Sequence, residues 1–184
     1  MKTLLALVLA CAAFTARAQA PHPFAIEIPD WFAVTFLELP DDVRDAAREN
    51  KRVMVYFGQD GCSWCRKLLE GNFRQADIVA KTRKHFVPIA LNILGDREVQ
   101  WVDGRRMKEK ELTQAIGLRY TPTLFFFDEE GAIVARVNGY LPPKRFLAAL
   151  DYAAGLAGRG LSFDEFMKTV PVEAGEPTSR TRIQ

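Results

Sequence analysis

The sequence predicts an α/β protein built on a single central sheet flanked by helices, and three observations carry that expectation. Apolar runs of strand length alternate with amphipathic stretches in the order β-α-β-α-β-α-β-β-α. A buried strand, KRVMVYFG, runs directly into Cys62-Ser63-Trp64-Cys65 at a helix start, where open α/β sheets hold their reactive groups. Two apolar runs, TLFFFD and AIVARV, are joined by Glu129-Glu130-Gly131 and read as a hairpin.

The chain opens MKTLLALVLACAAFTARAQA, with Lys2, an apolar run from Leu4 to Phe14, and small residues at Ala16 and Ala18. A run too short to cross a bilayer, followed by an A-x-A site, reads as a secretory signal peptide over 1–18, with Ala20 as the alternative cleavage position. A lipobox-like Val8-Leu9-Ala10-Cys11 and a buried N-terminal helix are the lesser readings. One domain is expected over 19–170, followed by a polar, disordered tail over 171–184.

Within the domain, residues 19–30 contain three prolines and read as an extended lead-in. WFAVTFLEL (31–39) alternates as a first strand, and PDDVRDAAREN begins a helix with Pro40 and two acids. In KRVMVYFG, Val53, Val55 and Phe57 point one way, and Met54 and Tyr56 the other. Helices are expected from Cys62 to about Glu70 and over 75–84, and HFVPIALNI (85–93) is another strand, begun by His85. The polar insert GDREVQWVDGRRM carries an Asp-Gly turn signal between two short strands. KEKELTQAIG is a helix closed by Gly117, and PPKRFLAALDYAAGLA is an amphipathic helix begun by proline. LSFDEFMKTV is a final short helix capped by Ser162.

The full chain carries 25 Lys+Arg against 23 Asp+Glu, and loss of Lys2 and Arg17 with the leader leaves a formal charge of zero. No basic run appears, so neither nucleic acid nor an anionic membrane surface is indicated as a partner. Of the three cysteines, Cys11 leaves with the leader, so Cys62 and Cys65 remain as the one pair. A domain of this size buries a core without a disulfide framework, and a bridge closing so small a loop stabilises little. Haem attachment needs a histidine at position 66, which is Arg66, and structural zinc needs four ligands where no further cysteine remains. No cofactor and no metal are expected. Of the two histidines, His85 reads as a surface or packing residue rather than a ligand.

A working dithiol remains. The thiolate is the nucleophile, and a helix N-terminus favours negative charge, so Cys62 is placed to be activated while Cys65, one turn in, is more buried. Cys62 would attack a substrate disulfide and Cys65 would resolve the mixed disulfide. Tyr120-Thr121-Pro122-Thr123 abuts the TLFFF strand; Pro122 reads either as a plain turn proline or, because a proline beside a buried strand cannot donate to the ladder, as one kept there for a special reason.

The ordered set of strand, Cys-x-x-Cys on a helix, Thr-Pro-Thr and a hairpin ending at Gly139 resembles the thioredoxin superfamily from about Trp31 to Leu156. VYFGQDGCSWC, the insert with VDG, RYTPTLFFFDEEG and NGYLPPKRFLAALDYA look closest to the exported SoxW-like thioredoxins of bacteria. The resemblance implies an α/β thioredoxin fold with a central mixed sheet, an N-terminal strand-helix extension and a short β insert. It implies Cys62 as nucleophile, Cys65 as resolving thiol, and a cis bond at Pro122 facing them. The Thr121 backbone would bind an extended substrate, with Ser63 and Trp64 as further substrate contacts. The leader is expected to send the chain to the periplasm, as a monomer acting on disulfide-bearing exported proteins, and the resemblance implies a membrane thiol-delivery protein as electron donor.

Two departures stand out. Tyr56 occupies the position of a buried aspartate in cytosolic thioredoxins, and Ala90 that of its lysine partner. The usual proton acceptor for Cys65 is therefore missing; Asp60 is either a substitute or a solvated turn residue. Trp64 reads either as a substrate contact or as a cover over the dithiol. The leading function is an exported thiol–disulfide oxidoreductase acting as a reductant. The alternatives are an oxidant or isomerase, or a non-catalytic binding module with Trp64, Tyr140 and Leu141 as its apolar surface.

Overall fold

A computed structural model describes residues 26–172. The expected leader and all but the first two residues of the expected tail lie outside these residues.

Among the described residues, six strands and six α-helices follow one another, beginning with α1 (Leu39–Arg48), β1 (Arg52–Gly58) and α2 (Ser63–Arg66). Next come α3 (Ala76–His85), β2 (Phe86–Asn92), β3 (Glu98–Gln100), β4 (Arg106–Lys108) and α4 (Glu109–Ala115). The hairpin β5 (Thr123–Phe127) and β6 (Ile133–Asn138) precedes α5 (Pro143–Ala153) and α6 (Phe163–Thr169). The main sheet has the order β2-β1-β5-β6, with β1 parallel to β2 and antiparallel to β5. This is the mixed sheet of the thioredoxin fold, and β3–β4 forms the small separate hairpin of the insert.

Strand β1 is central and buried on both faces, and its alternation separates the two cores. Met54 and Tyr56 enter the cluster covered by α3, α5 and α6, together with Cys65, Phe73, Phe126 and Phe146. Val53, Val55 and Phe57 enter the opposite cluster, under α1, α4 and the insert, with Trp101, Leu112, Phe125 and Phe127. Each fully buried aromatic side chain of this kind contributes about 1.5–3 kcal/mol from apolar burial. Pro88 is accommodated because β2 lies at the sheet edge.

The insert is anchored by a buried carboxylate. Glu109 is almost fully buried and accepts from the Asn92 N–H at 2.8 Å and from Arg97 Nη2 at 2.6 Å. The same Arg97 nitrogen donates to the Ala90 carbonyl at 2.8 Å. The expected Asp-Gly turn is present: Gly104 has φ +85°, and the Trp101 N–H donates to the Arg105 carbonyl. Ser162 caps α6 as expected, accepting from the Glu165 N–H at 3.3 Å.

Three expectations are corrected and a fourth is refined. No strand forms over 31–39; only isolated pairings link Ala33 to Ile89 and Glu38 to Gln100. The reason is local: Leu37 adopts φ +60°, and the Thr35 hydroxyl rather than a neighbouring strand accepts its N–H. Phe32 and Leu37 turn inward while Val34 and Phe36 are 94% and 95% exposed. The helical stretch after the cysteines has the expected extent, but only Ser63–Arg66 is α-helical; it continues as a π-helical turn (Lys67–Gly71) and a 3-10 turn (Asn72–Arg74). His85 closes α3 instead of opening β2. Tyr140 and Leu141, expected on an apolar contact surface, are buried.

Candidate functional site

The site is assembled where β1 ends. Gly58 leaves no room for a side chain, since a Cβ there would lie 2.1 Å from the Tyr56 phenol oxygen. Gly61 then turns the chain with φ +73°, a conformation suited to glycine. Cys62 follows in an extended conformation as the N-cap of α2, and its Sγ accepts from the Cys65 N–H at 3.0 Å. The sulfur thus occupies the position where helix-start N–H groups favour negative charge.

Cys62 and Cys65 are joined in a disulfide with their Cα atoms 5.2 Å apart. Cys65 is fully buried whereas Cys62 is only partly covered, so the first sulfur is the accessible one. The opposite wall is the Thr121-Pro122 segment, whose peptide bond is cis. The Thr121 hydroxyl donates to Cys62 Sγ at 3.3 Å, and the Thr121 carbonyl oxygen lies 3.5 Å from the same sulfur. Pro122 is buried, and its carbonyl accepts from the Gly139 N–H at 2.7 Å. The Thr123 hydroxyl holds the Tyr120 carbonyl at 2.7 Å. The fold therefore brings Cys62, Cys65, Thr121 and Pro122 together.

Ser63 is exposed on the dithiol turn. Trp64 is 36% exposed and stacks on Tyr140 with ring centres 5.6 Å apart. The Tyr140 hydroxyl donates to Asn72 Oδ1 at 3.1 Å, and Asn72 Nδ2 donates to the Leu141 carbonyl at 2.9 Å. Asn72 is fully buried, at the point where the π-helical turn gives way to the 3-10 turn. Sequence reading missed this support; an asparagine among apolar neighbours was its only signal.

Behind the dithiol, Tyr56 and Ala90 are direct partners across β1 and β2. Burial pushes the Tyr56 phenol well above its ordinary value, and the nearby Asp60 carboxylate adds to the rise. A phenol so disfavoured as an anion does not take the place of a buried carboxylate base. Among the described residues, no group of three or more His, Cys, Asp or Glu side chains is arranged to hold a metal ion.

The thioredoxin-like domain model matches residues 39–154. The chain belongs to the thioredoxin-like domain family. This thioredoxin-like protein finds no match among curated proteins. Among solved structures it is similar to a thioredoxin-fold protein from Helicobacter pylori, at 24% identity and a TM-score of 0.58, over 76% of this chain and 86% of that one. It is also similar to DsbH oxidoreductase, at 21% identity and a TM-score of 0.51, over 76% of this chain and 94% of that one. At these identities the likeness speaks for the fold. The thioredoxin-like protein adds to that fold a paired, asymmetrically buried Cys-x-x-Cys, an arrangement suited to thiol–disulfide exchange.

Proposed function

We propose that this thioredoxin-like protein is an exported thiol–disulfide oxidoreductase that reduces disulfides of partner proteins, as its resemblance to SoxW-like thioredoxins suggests. The observation that carries the reading is the placement of Cys62 Sγ between the Cys65 N–H and the Thr121 hydroxyl. Both groups donate to the sulfur and would stabilise its thiolate.

In the reduced protein the Cys62 thiolate attacks one sulfur of a substrate disulfide. A mixed disulfide forms and one substrate thiolate leaves. Cys65, deprotonated, then attacks Cys62 Sγ, restoring the Cys62–Cys65 bond and releasing the second substrate thiolate. Two electrons pass to the substrate, whose sulfurs take up two protons. Thr121 and Pro122 form the wall along which an extended substrate would lie, with Ser63 and Trp64 on the facing turn. A membrane thiol-delivery protein in the exported compartment would return the dithiol to its reduced form.

Cys62→Ser is expected to abolish reduction of a protein disulfide, and unchanged turnover would overturn the assignment. Cys65→Ser is expected to accumulate mixed disulfides through Cys62; capture of none in the exported compartment favours a binding module. Equilibration with a glutathione series sets the direction. A potential near thioredoxin's, about −270 mV, supports a reductant, and one near about −120 mV makes the protein an oxidant.

A further inference from the structure

Lys67 is the first residue of the π-helical turn, immediately beyond α2. Its ammonium lies 5.2 Å from the centre of the Trp64 ring and 4.8 Å from that of Tyr140. The two rings stack on each other, and Tyr140 is tied to the buried Asn72. A lysine head on a four-carbon stem is ordinarily mobile. Here two ring faces attract it, one of them belonging to Trp64 of the Cys-Ser-Trp-Cys turn itself. Among the described residues Lys67 takes part in no ion pair.

We propose that Lys67, held over Trp64 and Tyr140, gives the Cys62–Cys65 dithiol a preference for disulfides flanked by acidic side chains. The inference rests on the reading of Cys62 as the attacking thiol. Trp64 lies between the two cysteines, so a substrate segment crossing Cys62 from the Thr121-Pro122 wall reaches this aromatic platform on its other flank. Attraction to the rings leaves the outward N–H groups of the ammonium open to a carboxylate. Fixing the cation beforehand reduces the ordering cost on binding. Asp60, Arg66, Glu70 and Arg119 also lie on the segments around the site, and all four are exposed. Neither ring contact holds Arg66, the neighbouring cation, in the way that Lys67 is held.

The test uses the full chain, reduced with dithiothreitol and desalted, in single turnovers. The substrates are three peptides with one internal disulfide each, identical except for Glu, Gln or Lys on both sides of the attacked cysteine. Within any one variant, the Glu-to-Gln rate ratio is independent of the fraction of folded protein. The wild type is expected to favour Glu over Gln by about fivefold at low salt, and less as salt rises. Lys67→Met should bring the ratio to one, while Lys67→Arg and Arg66→Gln should keep it. Equal rates on all three peptides in the wild type, or a preference surviving in Lys67→Met, would overturn the inference and leave the oxidoreductase reading standing. Failure of the wild type to reduce any of the three would overturn both.

Discussion

Tyr56 and Ala90 face each other across the parallel β1–β2 pair, both buried, where cytosolic thioredoxins place an aspartate and a lysine. The exchange replaces a buried ion pair with an aromatic ring beside a small side chain, and it also places Tyr56 T-shaped against Phe32. The pocket is thereby adapted to apolar packing. Tyr56→Asp is expected to lower stability by about 3–5 kcal/mol, from the cavity and from a buried carboxylate without its lysine. Urea denaturation at pH 7 measures the loss, and adding Ala90→Lys should recover part of it. No loss would contradict the packing described for this position.

Thr121 supplies one hydroxyl to Cys62 Sγ. Thr121→Val keeps the shape of the side chain and removes that donor. A lost hydrogen bond of about 1 kcal/mol lowers the thiolate population roughly fivefold, and the greater nucleophilicity of the more basic sulfur leaves a roughly two- to threefold fall in reactivity. The expected outcome is that much slower alkylation of reduced Cys62 by iodoacetamide near neutral pH, with the folded structure retained. An unchanged rate would remove Thr121 from any role in activating the sulfur.

Glu109 fastens the insert to β2 through Asn92 and Arg97. Glu109→Gln removes the charge while Arg97 stays in place. Breaking a buried pair costs about 3–5 kcal/mol, and the partial exposure of Arg97 reduces this to about 2 kcal/mol. Gly95→Ala should disturb the same clamp, because a Cβ there would lie 1.9 Å from Glu109 Oε2. Both variants should show faster amide hydrogen exchange over β3–β4 than the parent.

Asp42 carries a pH dependence of its own. Burial, opposed by the Thr35 hydrogen bond and reinforced by Asp45, Asp41 and Glu38, raises its carboxyl to about 6. An acid whose folded value is raised favours folding when protonated. Its contribution is complete below about pH 4, the unfolded value, and is lost as pH rises through 6. Because the side chain is only half-buried, the effect is of order 1 kcal/mol after allowance for solvent screening. Asp42→Asn should therefore stabilise the protein by about that amount at pH 7 and be nearly neutral at pH 4, as read by denaturant unfolding at both values.

Much of the fold was legible because its signals are local. The alternation of β1 assigned Val53, Val55 and Phe57 to one core and Met54 and Tyr56 to the other, as the structure has them. The Asp-Gly turn, the Ser162 cap and the β5–β6 hairpin were legible for the same reason, since each depends on residues within a few positions of one another. The segment 31–39 misled because its alternation describes which side chains point inward, while pairing is decided by Leu37 turning to positive φ. The helical stretch after Cys65 was legible in extent but not in type, because apolar spacing does not distinguish an α-helix from a chain that loosens into a π-helical turn.

By itself the sequence determined the α/β class and the placement of Cys62 and Cys65 on a strand-to-helix turn, which follow from period, turn chemistry and cysteine spacing along the chain. The approach of Thr121-Pro122 to the cysteines came from the sequence only as an implication of the thioredoxin resemblance. Only the tertiary structure decided that the Thr121 hydroxyl reaches Cys62 Sγ, that Tyr140 turns inward onto Asn72, and that Lys67 rests over Trp64 and Tyr140. Cys62 and Thr121 are 59 residues apart, and Asn72 and Tyr140 are 68 apart. No local preference connects positions so distant; packing of the helices against a shared sheet brings them together.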